Sequence, residues 1–343
     1  MRVTRAGRNT VLLLNRPGIL AGAALAGAKE GQGPLKQEFD AVVADDLFGE
    51  ESWEKAEQHF SYAAATTCLT KAGKTPAEVD LMLGGDLLNQ IMAASMAARE
   101  LGIPFCGLYG ACSTMAESLC IGAMLADGGH VGSALCVASS HFCSAERQYR
   151  FPLEYGAQRT PTAQWTVTGA GASLVVADPD VPVAARIPMV TPGTVIDLGI
   201  SDVNNRGAAM APAAADTMKR HFRDTGRTAA DYDLILTGDL GQVGHDLVLR
   251  LMEEAGQPLM PERYNDCGLL IFDREQQDVH AGGSGCGCSA VVLNSLILKK
   301  LRTGELHRVL FLATGALLSP TTNQQVETIP GIAHAVVLEG ERA

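Results

Sequence analysis

Thr75-Pro76-Ala77-Glu78-Val79-Asp80-Leu81-Met82-Leu83-Gly84-Gly85-Asp86-Leu87 returns 153 positions later as Thr228-Ala229-Ala230-Asp231-Tyr232-Asp233-Leu234-Ile235-Leu236-Thr237-Gly238-Asp239-Leu240. The two stretches align without a gap, and Thr75, Asp80, Leu81, Leu83, Gly85, Asp86 and Leu87 all recur. Upstream, Ala63-Ala64-Ala65 is echoed by Ala213-Ala214-Ala215 at an offset of 150. Downstream, SALCVASS (133–140) resembles RVLFLATG (308–315), and the turn at Gly110 resembles Gly285-Cys286-Gly287-Cys288-Ser289. There the offset has grown to about 175, so the second copy carries an insertion of roughly twenty residues, expected at 264–277. A repeat of this length is a duplicated half-domain rather than a solenoid period. It divides the chain into residues 1–180 and 181–343. Each half alternates helical spacing with short apolar runs, which predicts an α/β fold of mixed sheets covered by helices. Runs such as 81–83 and 234–236 suit strands buried on both faces. Ligands in such folds sit beyond the carboxyl ends of strands. Asp86, Cys112, His141 and Asp239 each follow a strand-like run.

Outward from the repeat lies Tyr109-Gly110-Ala111-Cys112-Ser113-Thr114, between the apolar run 103–108 and a small-residue helical pattern at 115–126. It reads as strand, glycine turn and helix, with Cys112 where the helix begins. Unpaired N–H groups and the helix dipole favour negative charge there, whether a thiolate or a carboxylate from solution. The plainer alternative is a small buried cysteine. Residues 52–72 have helical spacing, with Ser52 as candidate N-cap. Residues 29–34 read as a polar, turn-rich loop.

The 343 residues are 47% hydrophobic and 19% charged, the balance of a globular chain with a sizeable core. A net charge of −11 argues against nucleic-acid partners and against anionic lipid surfaces, leaving any membrane association to protein partners. The amino-terminal segment lacks the apolar region of a secretory signal, and no apolar run reaches spanning length. The nine cysteines, an odd number mostly within apolar runs, fit free thiols in a reducing compartment. The glycine runs lack GxGxxG and the P-loop lysine, so no nucleotide cofactor is expected. Cys286-Gly287-Cys288 lacks a second pair at zinc spacing, so no metal site is expected.

Two mixed halves, a cysteine at a strand-to-helix turn in the first and a glycine-rich turn in the second resemble the thiolase fold. Thr168-Gly169-Ala170-Gly171-Ala172-Ser173-Leu174-Val175-Val176 resembles the strand that closes the first half of ketoacyl synthase relatives. Several longer strings resemble the stage V sporulation protein AD (SpoVAD) family. They are Gly85-Asp86-Leu87-Leu88-Asn89-Gln90, 105–114 with its GACST core, Ser139-Ser140-His141, Ala145-Glu146-Arg147-Gln148, MAPAAADT at 210–217, 266–271, 281–292 and 314–320. The resemblance implies a thiolase-like αβαβα sandwich of duplicated half-domains with two mixed sheets. It implies a homodimer paired through a strand near the nucleophile turn. It further implies a non-catalytic protein that binds dipicolinic acid (pyridine-2,6-dicarboxylate), with or without Ca2+. Such a protein acts with other SpoVA complex subunits in dipicolinate uptake into the developing spore. Its expected place is the cytoplasm or the periphery of the spore inner membrane, held there by partners.

An acyltransferase or condensing enzyme using Cys112 is the alternative. Such enzymes use a second-half His and an Asn or further His to support the developing charge. Here Thr237-Gly238-Asp239-Leu240 stands where the first His is expected, and 284–289 contains neither Asn nor His. His245 and His280 lie several residues from those positions. The residues suit a binding site for a dicarboxylate better. Ser113 and the amides after Gly110 would donate hydrogen bonds, and His141, Arg147 and Arg150 would supply charge. Asp86 would orient His141 or an Arg, ligate calcium, or cap the next helix. Asn89 is a neutral donor or a helix-surface residue. Cys112 and Cys288 complete the expected ligand-binding wall. Structural alternatives are a loop-bonded histidine for His141 and a solvated face for Arg147 and Arg150.

Overall fold

The computed structural model describes residues 4–149 and 159–341. Arg150, one of the expected ligand-binding residues, lies outside them.

The repeat becomes two five-stranded sheets with the same strand order. The first is built from β1 (Gly18–Gly27), β2 (Leu81–Gly85), β3 (Phe105–Gly107), β4 (Ser133–Ser140) and β5 (Gly169–Val176). They lie in the order β3-β2-β4-β5-β1. The second uses β6 (Ala185–Thr191), β7 (Leu234–Thr237), β8 (Tyr264–Asp266), β9 (Arg308–Ala316) and β10 (Gly331–Glu339), in the order β8-β7-β9-β10-β6. In each sheet the first three strands are parallel, and the fourth runs antiparallel to both neighbours. Where two mixed sheets are expected, the two halves are hydrogen-bonded into one continuous mixed sheet. They meet at their inner edges, where Ala185 and Arg186 pair with Ile19 and Gly18.

Five layers follow from which faces are apolar. Helix α1 (Trp53–Ala72) and α2 (Met92–Leu101) cover the outer face of the first sheet. Helix α3 (Thr114–Asp127) fills the middle, packing on β4 from one sheet and on β9 and β10 from the other. Helix α4 (Phe142–Tyr149) leads out of β4. On the far side lie α5 (Arg206–Thr225) and α6 (Gly241–Glu254). Helix α7 (Cys286–Val292) shares the middle layer and continues through a π-helical turn, Leu293–Ile297, into Leu298–Arg302. Middle-layer residues are apolar or small all round because both faces meet a sheet. Met115, Leu119, Ala123, Val291 and Leu293 are fully buried there. Among the described residues no helix is long and apolar enough to cross a membrane.

Local signals work as the sequence indicates. The Ser52 hydroxyl accepts from the Lys55 N–H, and Gly73 closes α1 in the left-handed region (φ 64°). The repeated Thr75 and Thr228 both open one 3-10 turn with a capping box, to Glu78 and Asp231 respectively.

Two expectations are corrected. The extra chain in the second half does not begin at Tyr264, because Tyr264–Asp266 is β8, which pairs with β7 as β3 pairs with β2. The additional residues follow it, as one helical turn (Cys267–Leu270) and the short strand Gly283–Ser284, which pairs with Trp165–Thr166. The polar loop at 29–34 is also not wholly a surface turn. Glu30 is fully buried, accepts from the Thr168 N–H at 3.0 Å, and burial raises its pKa to about 7.

Candidate functional site

Cys112 lies at the base of a narrow cleft where the carboxyl ends of both sheets converge. Leu87, Ala111, Tyr149, Arg206, Met210, Ser284, Ala316 and Leu318 line it with Cys112. The turn that presents the cysteine is strained: Ala111 has φ 51°, a conformation a residue with a Cβ rarely adopts. Ser113 and Thr114 hold the turn by donating their hydroxyls to the carbonyls of Gly110 (2.7 Å) and Ala111 (2.6 Å). Gly315 makes this possible, since a Cβ there would stand 2.2 Å from the Gly110 oxygen. The deep part of the cleft has about 20 Å³ of water-accessible space, room for about one water. A second hollow of similar size adjoins it between Tyr149, Val203, Asn204, Arg206 and Leu318.

Asp239 is the polar centre behind Cys112. It is fully buried, at the end of β7. Oδ1 accepts from the Thr314 hydroxyl at 2.7 Å, and Oδ2 accepts from the Ser284 hydroxyl at 2.9 Å and the Gly285 N–H at 3.1 Å. Burial raises its pKa, and the nearby Cys112 thiol acts against that rise. Cys286, at the start of α7, donates to the Ala111 carbonyl at 3.0 Å. Burial and the adjacent Cys112 push its thiol pKa well up. The surroundings of the Cys112 sulfur therefore comprise a carboxylate, a second thiol and hydroxyls already committed to that carboxylate. No imidazole faces it among the described lining residues. His245 stacks on Tyr264, 4.6 Å between ring centroids, and His280 lies against Asp278 at 3.2 Å.

The other expected site residues disperse. Asp86 is buried and caps: Oδ1 accepts from the Leu88 N–H at 2.8 Å and Oδ2 from the Ala94 N–H at 2.7 Å. With both oxygens so engaged it orients neither His141 nor a metal, and burial sets its pKa at about 6. His141 is also structural. Its Nε2–H donates to the Asp46 carbonyl (2.8 Å) while Nδ1 accepts from the Cys143 N–H (3.1 Å), which fixes a neutral ring that burial keeps neutral. Ser113 spends its hydroxyl inside the turn. Asn89 is exposed, and its N–H donates to Gln148. Arg147 lies on the outer face of α4, paired with Glu54 at 3.1 Å and stacked over Trp53 at 4.7 Å. Cys288 is fully buried behind Gly283 and does not line the cleft. Among the described residues no group of three or more His, Cys, Asp or Glu side chains could hold a metal ion.

Two polar lining residues escaped the sequence reading, Arg206 and Tyr149, as did Cys286, buried behind the cleft. Arg206 opens α5 at the mouth of the cleft, and among the described residues it has no hydrogen-bond or ion-pair partner. Tyr149 donates to the Leu87 carbonyl at 2.9 Å, and burial raises its pKa to about 12. Cys286 was discoverable, because it follows the repeat's turn as Cys112 does.

Solved structures with this fold are condensing enzymes. An OleA from Xanthomonas campestris, crystallised with acetamide, superposes with a TM-score of 0.58 at 15% identity, over 97% of this chain and 99% of that one. A 3-oxoacyl-[acyl-carrier-protein] synthase III from Aquifex aeolicus gives 0.55 at 12% identity, over 94% and 99%. At these identities the likeness establishes the thiolase-type fold alone. Sequence similarity is more specific. A stage V sporulation protein AD from Bacillus subtilis is 51% identical over 314 residues, 92% of this chain and 91% of that protein. Residues 7–339 match the family described as Stage V sporulation protein AD (SpoVAD). The chain belongs to the stage V sporulation protein AD family.

Proposed function

We propose that this protein is a non-catalytic receptor for dipicolinic acid, bound at the mouth of the Cys112 cleft, which serves dipicolinate uptake during sporulation. The observation that carries the reading is Arg206: a guanidinium unpaired among the described residues, beside an opening lined by Tyr149, Val203, Asn204 and Leu318. A guanidinium is suited to bidentate recognition of one carboxylate, while Leu318 and Tyr149 offer apolar surface to a flat ring. The cleft and the adjoining hollow each have space for about one water, so the ring would lie over the opening rather than against the sulfur. The Cys112 region supports binding over acyl transfer because Asp239 and Ser284 occupy the helper positions and already satisfy each other. A condensing reaction needs donors aimed at a developing oxyanion.

Isothermal titration with dipicolinate, with and without calcium, tests the proposal. Binding that Arg206→Ala weakens tenfold or more, with Arg206→Lys intermediate, supports it. No heat under either condition overturns it. The site would act alongside other SpoVA subunits at the spore inner membrane, and co-purification with them addresses that part. The edge strand β3, with Cys106 exposed and Tyr109 65% exposed beside it, is the surface for a homodimer. Light scattering gives its mass, and Cys106→Pro on that edge should yield monomer.

The strained Ala111 turn favours a second reading, an acyltransferase using Cys112. A stoichiometric acyl adduct after exposure to acyl-CoA, absent in Cys112→Ala, would establish it by intact mass.

A further inference from the structure

Cys112 and Cys286 lie on corresponding turns of the internal repeat. In each half a residue of positive φ ends the turn, Ala111 (51°) in one and Gly285 (101°) in the other, and a cysteine follows it in the first helical turn. The repeat brings the two turns together: α7 packs directly on the segment Ala111–Ser113. The Cys286 sulfur lies 3.0 Å from the Ala111 carbonyl oxygen, part of the peptide unit that joins Ala111 to Cys112. The Cys112 thiol is near enough to help push the Cys286 pKa up. Of the pair, Cys112 lines the cleft and Cys286 is fully buried behind it. All nine cysteines are free.

We propose that Cys112 and Cys286 form a reversible disulfide across the two halves, with hydrogen peroxide as the oxidant. The cleft decides the order of events, since its deep part admits a molecule little larger than water. Peroxide reaches Cys112 first. Its sulfur attacks one peroxide oxygen, the O–O bond breaks, and the thiol proton passes to the departing oxygen by way of the Asp239 carboxylate, releasing water and leaving a sulfenic acid. The Cys286 sulfur then attacks the Cys112 sulfur. The S–O bond breaks, and hydroxide leaves with the Cys286 proton as a second water. Two thiols and one peroxide become one disulfide and two waters, and a thiol reductant reverses the change. The bond ties α3's turn to α7 and removes the thiol floor from the cleft. This inference does not rest on dicarboxylate binding.

The test uses the full chain with Cys106→Ser and Cys143→Ser, which removes the two cysteines that are not buried. After peroxide treatment the intact mass should fall by ~2 Da, for two hydrogens lost. Non-reducing peptide mapping should join the Cys112 and Cys286 peptides, and reductant should restore both thiols. The thermal midpoint should rise on oxidation, because the link closes a long loop. Adding Cys288→Ser should leave the link intact. Adding Cys286→Ser should stop the reaction at a sulfenic acid on Cys112 that a dimedone probe captures. A link from Cys112 to any other cysteine, or oxidation of Cys112 to sulfinic acid with Cys286 still free, overturns the proposal.

Discussion

Asp86 and Asp239 occupy the same position in the repeat and have opposite fates. Asp86 spends both oxygens on the N–H groups of Leu88 and Ala94 and so anchors the start of α2. Asp239 turns inward to Thr314, Ser284 and the Gly285 N–H, behind Cys112. What frees it is Asp266, at the end of β8. That carboxylate accepts from the N–H groups of Leu240, Gly241 and Gly268 and from the Thr237 hydroxyl. The second half thus hands the capping duty to a residue one strand over. The duplicated aspartate then becomes available to the site. A buried helix start needs an acceptor, but any carboxylate in reach will serve.

The comparison makes Asp266 the residue whose loss should matter most. Asp266→Ala leaves three buried amide donors, those of Leu240, Gly241 and Gly268, without an acceptor and should cost about 3–5 kcal/mol in urea unfolding. Asp86→Ala strands the two amide donors it caps and should cost about 2–3 kcal/mol. If Asp239→Ala destabilised as much as Asp266→Ala, the division of labour between them would be broken. We expect about 1–2 kcal/mol, because two of its three partners are hydroxyls that can turn to other acceptors.

Titration sharpens the same point. Burial raises Asp86 and Asp266 to about 6, from an ordinary 3.8. A carboxyl whose folded pKa is raised favours folding when protonated. Its contribution is fully present below about pH 4 and is lost as pH rises through 6. Two units correspond to about 2–3 kcal/mol for each group. Stability measured between pH 4 and 7 should fall with pH, and Asp86→Asn should flatten the slope. An unchanged slope would remove Asp86 from the account. The smallest effect is expected far from the site: Ser52→Ala should cost about 1 kcal/mol by removing the N-cap of α1, with the midpoint as readout.

The repeat was legible because each half writes its strands as short apolar runs and its helix starts as Thr or Ser caps. Those signals are local, and β2, β7 and α1 follow from them. The strand β8 was misassigned to an insertion because three residues carry too little periodicity to declare themselves. Site residues were legible only where chain position forced them together. Cys112 was found because a strand–turn–helix places it at a strand end. His141 was expected in the cleft by the same rule. Instead its ring is consumed by Asp46 and Cys143, partners that no spacing in the sequence predicts.

By itself the sequence determined the duplicated α/β architecture, the cysteine turn and the family, since these depend on patterns of neighbours along the chain. Only the tertiary structure decided which carboxylate caps and which faces the site. It alone brought Arg206 to the mouth of the cleft and set Cys286 against Cys112. The physical reason is that a buried polar group takes whichever partner lies within about 3 Å. Here those partners come from segments as far apart in sequence as Ala111 and Cys286.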